Sequence, residues 1–565
     1  MQNAIVAKLF DDIADYLEVA GENSFKIRAY RKAAEAVAGY ERPIEAVTEG
    51  GELEKIEGLG QATAQKVREF LATGQIRYLE RLREEYPEGL IELLSVPNLG
   101  PKKVQLLYRE RGISNIDQLK DAIARGELAG LAGFGPKTIG NIQQGLARLA
   151  EMSRELPLAV ATNTAANLME ALGAQGSVQR VEVAGAVRRG CDTVGSIDIV
   201  VATSEPDIVQ AAFIASPFLL ALEGQSETLL EAKVRPGVTA RLHCTSAADF
   251  GLTLFLATGN AAHLAEAERL AAEQGIALQL GAGYGDEEQI FAALGASFIE
   301  PELREGGAEW EMARTGTLPD LLELRDLRGD LHSHSTWSDG ALSIRQMAEA
   351  AQARGYSYLA VTDHSKALAM ANGLDAKRLR EQALEIAEVQ AGFPDLKILR
   401  GVECDIMRDG SLDLDDEILH ELDIVVASVH SGFTLDEAAQ TERMIRALRH
   451  PAVDVVAHPT GRVLGIRPGY DVNIAALIEA AREAGTALEI NASERLDLSD
   501  KNAALARAAG VLLSIDSDAH SARMLPNVGY GVSTARRAWC RKSDILNTKS
   551  TEELLQWLKR PQAQA

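Results

Sequence analysis

Hydrophobic and polar residues follow three different patterns along the chain. In the first 150 residues apolar positions recur at helical spacing, as in AKLFDDIADYLEVA, and glycines separate such stretches. Residues 151–315 alternate between strand-like runs, such as VEVAGAV and SIDIVVA, and amphipathic helices, such as AAHLAEAERLAAEQG. After residue 329, long helical segments separate the apolar runs YLAVTDH, DIVVASVH, DVVAHP, ALEIN and VLLSIDSDAH. This predicts a multidomain α/β chain with a helical N-terminal part and a C-terminal barrel of parallel strands.

Length and composition narrow the class of protein. A chain of 565 residues is longer than one hydrophobic core usually supports, so several domains are expected. An apolar share of 46% with 25% charged residues argues against intrinsic disorder. No apolar run could span a membrane, and the start, MQNAIVAKLFDDIADYLEV, has acidic residues where a signal peptide needs an apolar stretch. The cysteines are scattered without a CxxC pair, which is typical of a reducing cytosol, so a cytoplasmic protein is predicted.

The formal net charge of -24 is unevenly distributed. Residues 1–150 contain 20 Lys and Arg against 22 Asp and Glu, and residues 151–565 contain the remaining 38 against 60. A nucleic-acid ligand is therefore expected at the N-terminal end, bound by local sites and backbone amides rather than by a global positive field. An ordinary acidic protein without such a ligand would have a similar net charge, so charge alone does not show whether the chain binds nucleic acid.

A glycine-containing turn before a helix recurs three times in the N-terminal part. The copies are IEGLG, VPNLG and LAGFG at residues 56–60, 96–100 and 131–135, and the middle copy has Asn98 at the first glycine position. Such a turn leaves backbone N–H groups free at the positive end of a helix, where a phosphate can bind without a base being read. Three copies predict helix-hairpin-helix contacts to the DNA backbone, made by Gly58, Gly60, Gly100, Lys102, Gly133, Gly135 and Lys137.

The C-terminal part concentrates metal-ligand residues at the ends of its predicted strands. Residues 330–335 read DLHSHS, and on a strand the side chains of His332 and His334 would point to the same face and reach one metal ion. A single buried histidine is usually a core residue, but six of the ten histidines occupy such positions. We therefore predict a metal centre that also includes Asp339, His364, Glu403, His430, His458, Asp518 and His520.

Several stretches of this part resemble one known family. DLHSHSTWSDG, TDHS, GVECDI, SVHSGF, AHPTGR and SDAH together are similar to the PHP (polymerase and histidinol phosphatase) family over residues 329–565. The resemblance implies that the nine positions hold up to three metal ions, Mn²⁺ or Zn²⁺, and that the domain hydrolyses phosphoesters.

Residues 185–198, GAVRRGCDTVGSID, resemble the palm motif of family X DNA polymerases, G-S-x-R-R-G-x4-G-D-x-D. FKIRAYRKAAE, LATGN and FIEPELRE resemble other segments of that family, so the resemblance covers essentially the whole chain in the order of the bacterial members. It implies a nucleotidyltransferase-like palm and thumb, a catalytic Asp198, and Mg²⁺ or Mn²⁺ as cofactor. It also implies nucleotide contacts from Gly185, Arg188, Arg189, Gly195 and Arg241.

The palm motif is incomplete in this chain. Where the family has two further aspartates, the chain has Ser196 and, on the neighbouring strand, Thr239. The phosphate-binding serine is replaced by Ala186, the aromatic residue of the LATGN segment by Ala257, and the asparagine near the incoming base by Leu264. Because one carboxylate cannot hold two divalent ions, we expect the palm fold to persist while polymerisation is weak or absent.

The stretch LEKIEGLGQATAQKVREFLATGQ resembles the small N-terminal domain of the DNA polymerase beta family, which removes 5'-deoxyribose phosphate through a lysine Schiff base. The resemblance places Lys66 at the nucleophile position and Lys26 and Tyr30 at the 5'-phosphate-binding positions, whereas Ala62 replaces a second lysine. A Schiff base needs a neutral amine, which burial or neighbouring cations provide. The alternative, that Lys66 only contacts a backbone phosphate, stays open.

These observations predict a lyase-like domain (1–82), helix-hairpin-helix fingers (83–150), a palm (151–242), a thumb (243–317), a linker (318–328) and a PHP phosphoesterase (329–565). The resemblance implies the function of a bacterial family-X DNA repair protein, a manganese-dependent 3'-5' exonuclease with a degenerate polymerase. Its predicted partners are gapped, nicked or 3'-ended DNA and a dNTP, without a membrane. The alternatives are an active polymerase completed by unrecognised carboxylates, a DNA-end-binding scaffold with vestigial activities, and a PHP-type small-molecule phosphatase.

Overall fold

The computed structural model of the protein describes residues 2–559 except 39, 41, 43, 57, 88, 95, 97, 98, 153, 154 and 236. The chain divides into two compact units, Met1–Arg154 and Glu155–Ala565. None of the described helices is long and apolar enough to cross a membrane.

The first unit consists of helices around two hydrophobic cores. Phe10 and Leu17 lie in the core of the first helices, and Leu107 and Phe134 lie in the core of the later ones. Apolar residues at three- and four-residue spacing build both cores, as the sequence pattern predicts. The helices are α1 (Gln2–Ala20), α2 (Ser24–Ala38), α3 (Ile44–Glu49), α4 (Gln61–Thr73), α5 (Arg77–Glu85), α6 (Gly89–Leu94), α7 (Pro101–Arg111), α8 (Ile116–Ala124) and α9 (Pro136–Met152).

The second unit opens with a mixed sheet and a group of helices. The strands are β1 (Leu156–Pro157), β2 (Val178–Ala184), β3 (Thr193–Val194), β4 (Ser196–Thr203), β5 (Ala221–Gln225), β6 (Leu229–Arg235) and β7 (Val238–Thr245). The helices are α10 (Leu158–Gly173), α11 (Gly185–Arg188), α12 (Pro206–Ile214), α13 (Phe250–Thr258), α14 (Ala261–Gln274), α15 (Glu287–Ala293) and α16 (Glu309–Thr315). The five-stranded sheet has the order β2-β4-β7-β6-β5, and β4 runs parallel to β7. Their register places Ser196 opposite Thr239 and Asp198 opposite Arg241.

The rest of the second unit is a nearly closed parallel barrel. Its strands are β8 (Gly329–Asp330), β9 (Tyr358–Val361), β10 (Lys397–Asp405), β11 (Ile424–Ser428), β12 (Val455–Val456), β13 (Ala487–Asn491) and β14 (Leu513–Asp516), paired in that order. A bridge between Ser333 and Ala519 brings the first and last strands together. The predicted fold class is confirmed. The helices are α17 (Ile344–Ala353), α18 (Ala376–Gln390), α19 (Asp416–Leu419), α20 (Glu437–Leu448), α21 (Ile474–Ala484), α22 (Asp500–Ala508), α23 (Val528–Arg537) and α24 (Thr551–Leu558).

The HxH pair does not lie within a regular strand, contrary to the prediction. Strand β8 ends at Asp330, and His332 and His334 follow it on either side of the bridge that Ser333 forms with Ala519. The reason is that the barrel closes here by one isolated bridge rather than by a ladder. Both imidazoles are nevertheless fully buried, and their ring centres are 5.2 Å apart.

The barrel and the mixed sheet pack together within the second unit. Arg537 donates hydrogen bonds to Glu305 at 2.7 Å and to the carbonyl of Arg189 at 3.1 Å. Leu496 of the barrel belongs to the hydrophobic core of the mixed sheet. In the predicted linker, the buried Leu322 packs into the barrel core. The residues between thumb and barrel are therefore part of the packed structure.

Candidate functional site

The barrel places metal-type side chains at the carboxyl ends of its strands. Because parallel strands end at the same edge, residues far apart in sequence meet there. Glu403 lies near the end of β10, and Asp339 lies in the connection between β8 and α17. The other predicted ligands follow β8, β9, β11, β12 and β14 and are His332, His334, His364, His430, His458, Asp518 and His520.

Glu403 lies at the centre of this set. Its Oε1 is 3.0 Å from His458 Nε2 and 3.3 Å from His430 Nε2. Its Oε2 is 2.7 Å from His364 Nδ1 and 3.4 Å from His332 Nε2. Four imidazoles from different connections therefore share one buried carboxylate.

A second group of contacts surrounds His334. Its Nε2 is 3.1 Å from Asp518 Oδ1, and Asp339 approaches both His520 at 3.4 Å and His364 at 3.6 Å. The structure thus brings all nine predicted residues together. Ligand atoms within 4.8 Å of one another form three groups, which are His334/Asp339/His364/His520, His332/His334/Glu403 and His364/Glu403/His430.

Burial and mutual charge set the protonation of the cluster. Burial opposes charge on His364, but the carboxylates of Glu403 and Asp339 raise the pKa of this imidazole to about 10. Burial and the neighbouring His364 lower the pKa of His334 to about 3. Although burial alone would raise it, the surrounding imidazoles hold the pKa of Glu403 well below its usual range. Binding of a cation would therefore displace protons that the imidazoles hold.

Several buried polar atoms of the cluster make no hydrogen bond to the residues that the structure describes. A buried polar atom without a partner costs about 1–3 kcal/mol and is rare in folded proteins. The donor set contains imidazole nitrogens and carboxylate oxygens without a thiolate, which suits Mn²⁺ or Zn²⁺. The residues therefore fit a metal centre. The atoms without a hydrogen bond are His332 Nε2, His334 Nδ1, His364 Nδ1, His458 Nδ1 and Glu403 Oε2. Two of them, His364 Nδ1 and Glu403 Oε2, lie 2.7 Å apart as an ion pair.

Glu489 supports the centre but is absent from the predicted set. Its Oε1 is 2.7 Å from His332 Nδ1, and its Oε2 accepts a hydrogen bond from the His458 amide at 2.8 Å. This contact turns His332 Nε2 toward the cluster, as second-shell carboxylates usually do in metal sites. The feature of the sequence that could have pointed to Glu489 is the presence of an acidic residue within the apolar run ALEIN. His458 and Asp518 also have positive φ angles of 32° and 51°, a strain that proteins retain mainly at functional sites.

A cavity of about 390 Å³ opens onto the cluster. Arg495 is the cationic side chain among the residues that line it, apart from the histidines, and its Nε is 3.9 Å from Asp518 Oδ2. The sequence did not single out this arginine. The remaining lining residues are Asp339, His364, Leu368, Glu403, His430, Ser493, Glu494, Asp518, His520 and Met524.

The palm motif lines a second cavity, of about 490 Å³. Asp198 is buried there and accepts a hydrogen bond from Ser196 Oγ at 2.7 Å. His243 Nε2 is 3.2 Å and Arg241 Nη1 is 3.8 Å from Asp198 Oδ1. Arg241 also binds Glu231 at 2.8 Å, and neither Glu231 nor His243 belongs to the predicted site. Among the described residues, the groups of three or more close metal-type ligands all lie in the barrel.

Three of the predicted nucleotide contacts line this cavity, namely Gly185, Arg189 and Arg241. Gly185 has a φ of 62°, and a Cβ there would lie 2.5 Å from Asp198 Oδ2, so the turn requires glycine. Arg189 donates hydrogen bonds to Glu305 at 2.8 Å and to the carbonyl of Thr258 at 2.7 Å.

The other predicted palm residues make contacts elsewhere. Arg188 binds Glu287 with two hydrogen bonds of 3.0 and 2.6 Å, in the thumb helices. Thr239 donates to Glu223 at 2.9 Å. Gly195 directly precedes β4 and is not among the residues that line the cavity. A nucleotide contact from Arg188 or Gly195 stays a prediction.

Lys66 in the first unit lies beside two tyrosines. Its Nζ is 5.6 Å from the ring centre of Tyr30 and 5.3 Å from that of Tyr78. Lys26 Nζ is 5.3 Å from the same Tyr78 ring. Burial lowers the pKa of Lys66, the charge of Glu69 offsets part of this effect, and the charges of Lys26 and Arg81 add to the lowering. The structure thus groups Lys26, Tyr30 and Lys66 around Tyr78, which the sequence did not single out.

Three glycines directly precede the helices of the predicted hairpins. Gly60, Gly100 and Gly135 come immediately before α4, α7 and α9. A Cβ at any of the three would meet no atom within 4 Å. Packing therefore does not require these glycines, whereas a ligand that approaches the backbone closely would.

Of the remaining hairpin residues, two glycines allow the backbone to turn and two lysines are exposed to solvent. Gly58 and Gly133 have positive φ angles of 98° and 81°, which favour glycine. Lys102 and Lys137 are exposed in the first turns of α7 and α9. Asn98 lies outside the described residues.

Three family models match parts of the chain. A helix-hairpin-helix domain matches residues 1–76, and a SAM-like helix-hairpin-helix tandem matches residues 90–148. The PHP domain matches residues 330–493. These matches cover the regions that hold the glycine turns and most of the metal-type cluster.

Two kinds of known protein are among those with similar sequences. Probable phosphatases of Shewanella sp. (strain MR-4) and Thermoanaerobacter sp. (strain X514) are 33% and 31% identical over 40% and 39% of this chain, and 90% and 89% of their own lengths. The DNA polymerase/3'-5' exonuclease PolX of Bacillus subtilis is 38% identical over 99% of this chain and 100% of its own length. Since this second similarity runs from end to end and includes both the hairpin and the PHP regions, the chain belongs to the PolX family.

Proposed function

We propose that the protein degrades DNA from 3' ends and that the metal cluster of the barrel hydrolyses the phosphodiester. The observation that carries the proposal is the convergence of nine imidazole and carboxylate side chains at the edge of the barrel, several of which have buried polar atoms without a hydrogen bond to the described residues. The Bacillus subtilis relative is a DNA polymerase/3'-5' exonuclease, which supports a DNA substrate.

We propose that the nine residues hold Mn²⁺ or Zn²⁺. Such ions polarise a phosphate and lower the pKa of bound water. Glu489 orients the His332 imidazole through the contact with His332 Nδ1. Arg495, which lines the cavity, binds a non-bridging oxygen of the scissile phosphate. The neighbouring carboxylate of Asp518 keeps the Arg495 guanidinium at the cavity. Binding of a dNTP with Mg²⁺ or Mn²⁺ in the palm stays a prediction.

A primer-template assay with the full chain tests this function. A 5'-labelled primer is incubated with Mn²⁺, Zn²⁺ or Mg²⁺ and dNTPs, and shortening and extension are scored in the same lane. We expect shortening with Mn²⁺ and little extension with Mg²⁺. If no metal supports shortening, the protein would instead be a scaffold that binds DNA ends.

A small-molecule phosphatase is the second candidate, because the probable phosphatases match the PHP part of the chain. It predicts faster hydrolysis of p-nitrophenyl phosphate than of DNA at equal phosphate concentration. The hairpin matches at residues 1–76 and 90–148 favour the DNA substrate.

DNA binding is expected to be independent of sequence and strongly dependent on salt. Each lysine that neutralises a phosphate contributes about -0.9 to the slope of log K against log salt concentration. Replacing Lys102 and Lys137 by alanine should therefore reduce that slope by about 2, because both are exposed at hairpin helices. Fluorescence anisotropy of two unrelated duplexes at several salt concentrations measures the effect.

Lys120→Ala is the matched control for this titration. Lys120 is half exposed on α8 and pairs with Asp117 at 3.4 Å, away from the glycine turns in sequence. Its removal should leave the slope unchanged. A strong preference for one duplex, or a flat salt response of the parent, would contradict backbone binding.

We propose that Lys66 forms a Schiff base with the sugar of an incised abasic site. Its pKa is lowered, so a larger fraction of the amine is neutral near neutral pH than for an exposed lysine. Borohydride reduction in the presence of incised abasic DNA should trap a covalent adduct, and Lys66→Ala should reduce its yield at least about tenfold.

Lys55→Ala serves as the control, since Lys55 is exposed next to the same hairpin and pairs with Glu52. It should leave the adduct yield unchanged. An undiminished adduct in Lys66→Ala, or none in the parent, would leave Lys66 as a contact to phosphate only.

A further inference from the structure

The cavity at the cluster of predicted metal ligands is lined by both polar and apolar side chains. Six of its lining residues belong to the predicted metal set, whereas Leu368 and Met524 contribute hydrocarbon and thioether surface. Its volume of about 390 Å³ is in the range of sites that bind small organic ligands, about 300–1,000 Å³. A phosphoester bound at the cluster therefore leaves room for the group attached to the phosphorus.

A hydrogen-bonded loop, residues 366–373, contains Leu368, which lines this cavity. The amide of Ala367 donates to Asp413 Oδ2 at 2.7 Å. At the other end of the loop, the amide of Leu374 donates to the carbonyl of His364 at 2.7 Å. Both ends of the loop are fixed by these hydrogen bonds, and one of the bonds is to His364, a predicted metal ligand. Leu368 therefore has a defined position beside the cluster. It lines a polar cavity instead of packing in the core.

Met524 lines the same cavity and belongs to the segment that follows β14. Its Sδ accepts a hydrogen bond from the amide of His520 at 3.5 Å, which places it next to another member of the metal set. The unbranched, polarizable methionine side chain adapts to flat apolar groups of different shapes. Two apolar side chains from separate loops thus line one cavity together with six of the predicted metal ligands.

We propose that Leu368 and Met524 bind the nucleobase of the 3'-terminal nucleotide while its 5'-phosphate lies at the metal cluster. This inference rests on the proposed exonuclease function and adds the group by which the substrate is recognised. A leucine side chain offers no hydrogen bond and therefore accepts any of the four bases. An ester without a base would lose this contact and would be a poorer substrate.

Two synthetic esters that differ only in the nucleoside test the inference on the full chain. Thymidine 5'-(p-nitrophenyl phosphate) and methyl p-nitrophenyl phosphate both release p-nitrophenolate, so the same absorbance reports both reactions. We expect the parent to prefer the thymidine ester in kcat/KM with Mn²⁺. The double variant Leu368→Ala, Met524→Ala should reduce the ratio of the two kcat/KM values about tenfold, because it removes apolar area that would be buried against the base.

Leu384→Ala is the matched control. Leu384 is 73% exposed on α18, in the same domain, and does not line the cavity. It should leave the ratio of the two kcat/KM values unchanged. An undiminished ratio in the double variant would overturn the inference.

The outcomes for the parent separate the inference from the function on which it rests. If the parent hydrolyses both esters equally well, the base site is wrong while the metal-dependent phosphoesterase stands. If it hydrolyses neither with Mn²⁺ or Zn²⁺, the proposed function fails and the base site fails with it.

A binding measurement provides a readout that does not depend on turnover. An oligonucleotide carries 2-aminopurine at its 3' end, joined by a non-hydrolysable methylenephosphonate linkage. Entry of the terminal base into the cavity unstacks it from its neighbour and should raise its fluorescence in the parent and in Leu384→Ala. A rise of the same size in the Leu368→Ala, Met524→Ala variant would contradict the contact.

Discussion

Replacing His332 and His334 together by alanine is expected to abolish the degradation of 3' ends while leaving DNA binding largely intact. Both imidazoles are fully buried, and their Nε2 atoms lie 3.4 and 3.6 Å from Glu403 Oε2. Loss of a residue that merely supports a metal ligand typically costs 10–100-fold in affinity or activity, so loss of two ligands should cost at least about a hundredfold. The predicted DNA-binding glycines and lysines lie in the other unit of the chain.

Two quantities are measured for each purified protein: the rate at which it shortens a labelled primer, and its manganese or zinc content. The double variant His420→Ala, His450→Ala is the control, because these histidines hydrogen-bond to Asp416 and are not members of the close ligand groups. It should retain both metal and activity. If the His332→Ala, His334→Ala variant is folded and shortens the primer as fast as the parent, the nuclease does not lie in the barrel.

The metal-type residues could be predicted as a set because their chemistry is carried by residue type and position. An imidazole or carboxylate directly after an apolar run marks the end of a parallel strand, and all such ends meet at one edge of a barrel. His364, His430 and His458 follow three different strands in this way. The sequence therefore predicted the grouping without any knowledge of distances.

The contacts that orient these residues could not be predicted, because they depend on packing between distant segments. Glu489 and His332 are 157 positions apart and meet only when β13 lies near the end of β8. Arg495 follows β13 in a loop whose course the sequence pattern does not determine. Strand β10 was also absent from the predicted apolar runs, since its start, KILRG, has only two adjacent apolar residues between a lysine and an arginine.

Polymerisation by the parent with Mg²⁺ is expected to be weak or absent. A carboxylate about 4 Å from a divalent ion contributes roughly 8 kcal/mol of attraction at an effective dielectric constant of about 20, before the cost of desolvation. Ser196 and Thr239 supply neutral oxygens in place of two such charges. The remaining carboxylate, Asp198, already contacts Ser196, His243 and Arg241, which compete with a metal ion for it.

The variant Ser196→Asp, Thr239→Asp should raise extension of a gapped primer with Mg²⁺ by at least about a hundredfold, which corresponds to a change of about 2.7 kcal/mol in the barrier. The register of β4 and β7 places these two positions opposite each other, two residues before Asp198 and its partner Arg241, so both new carboxylates would lie on the same face of the sheet as Asp198. The control is Ser196→Asn, Thr239→Asn, which has nearly the same shape without charge and should stay inactive. If the parent already extends the primer efficiently with Mg²⁺, other acidic residues must complete the site, and Glu231, which lines the same cavity, is the first to replace.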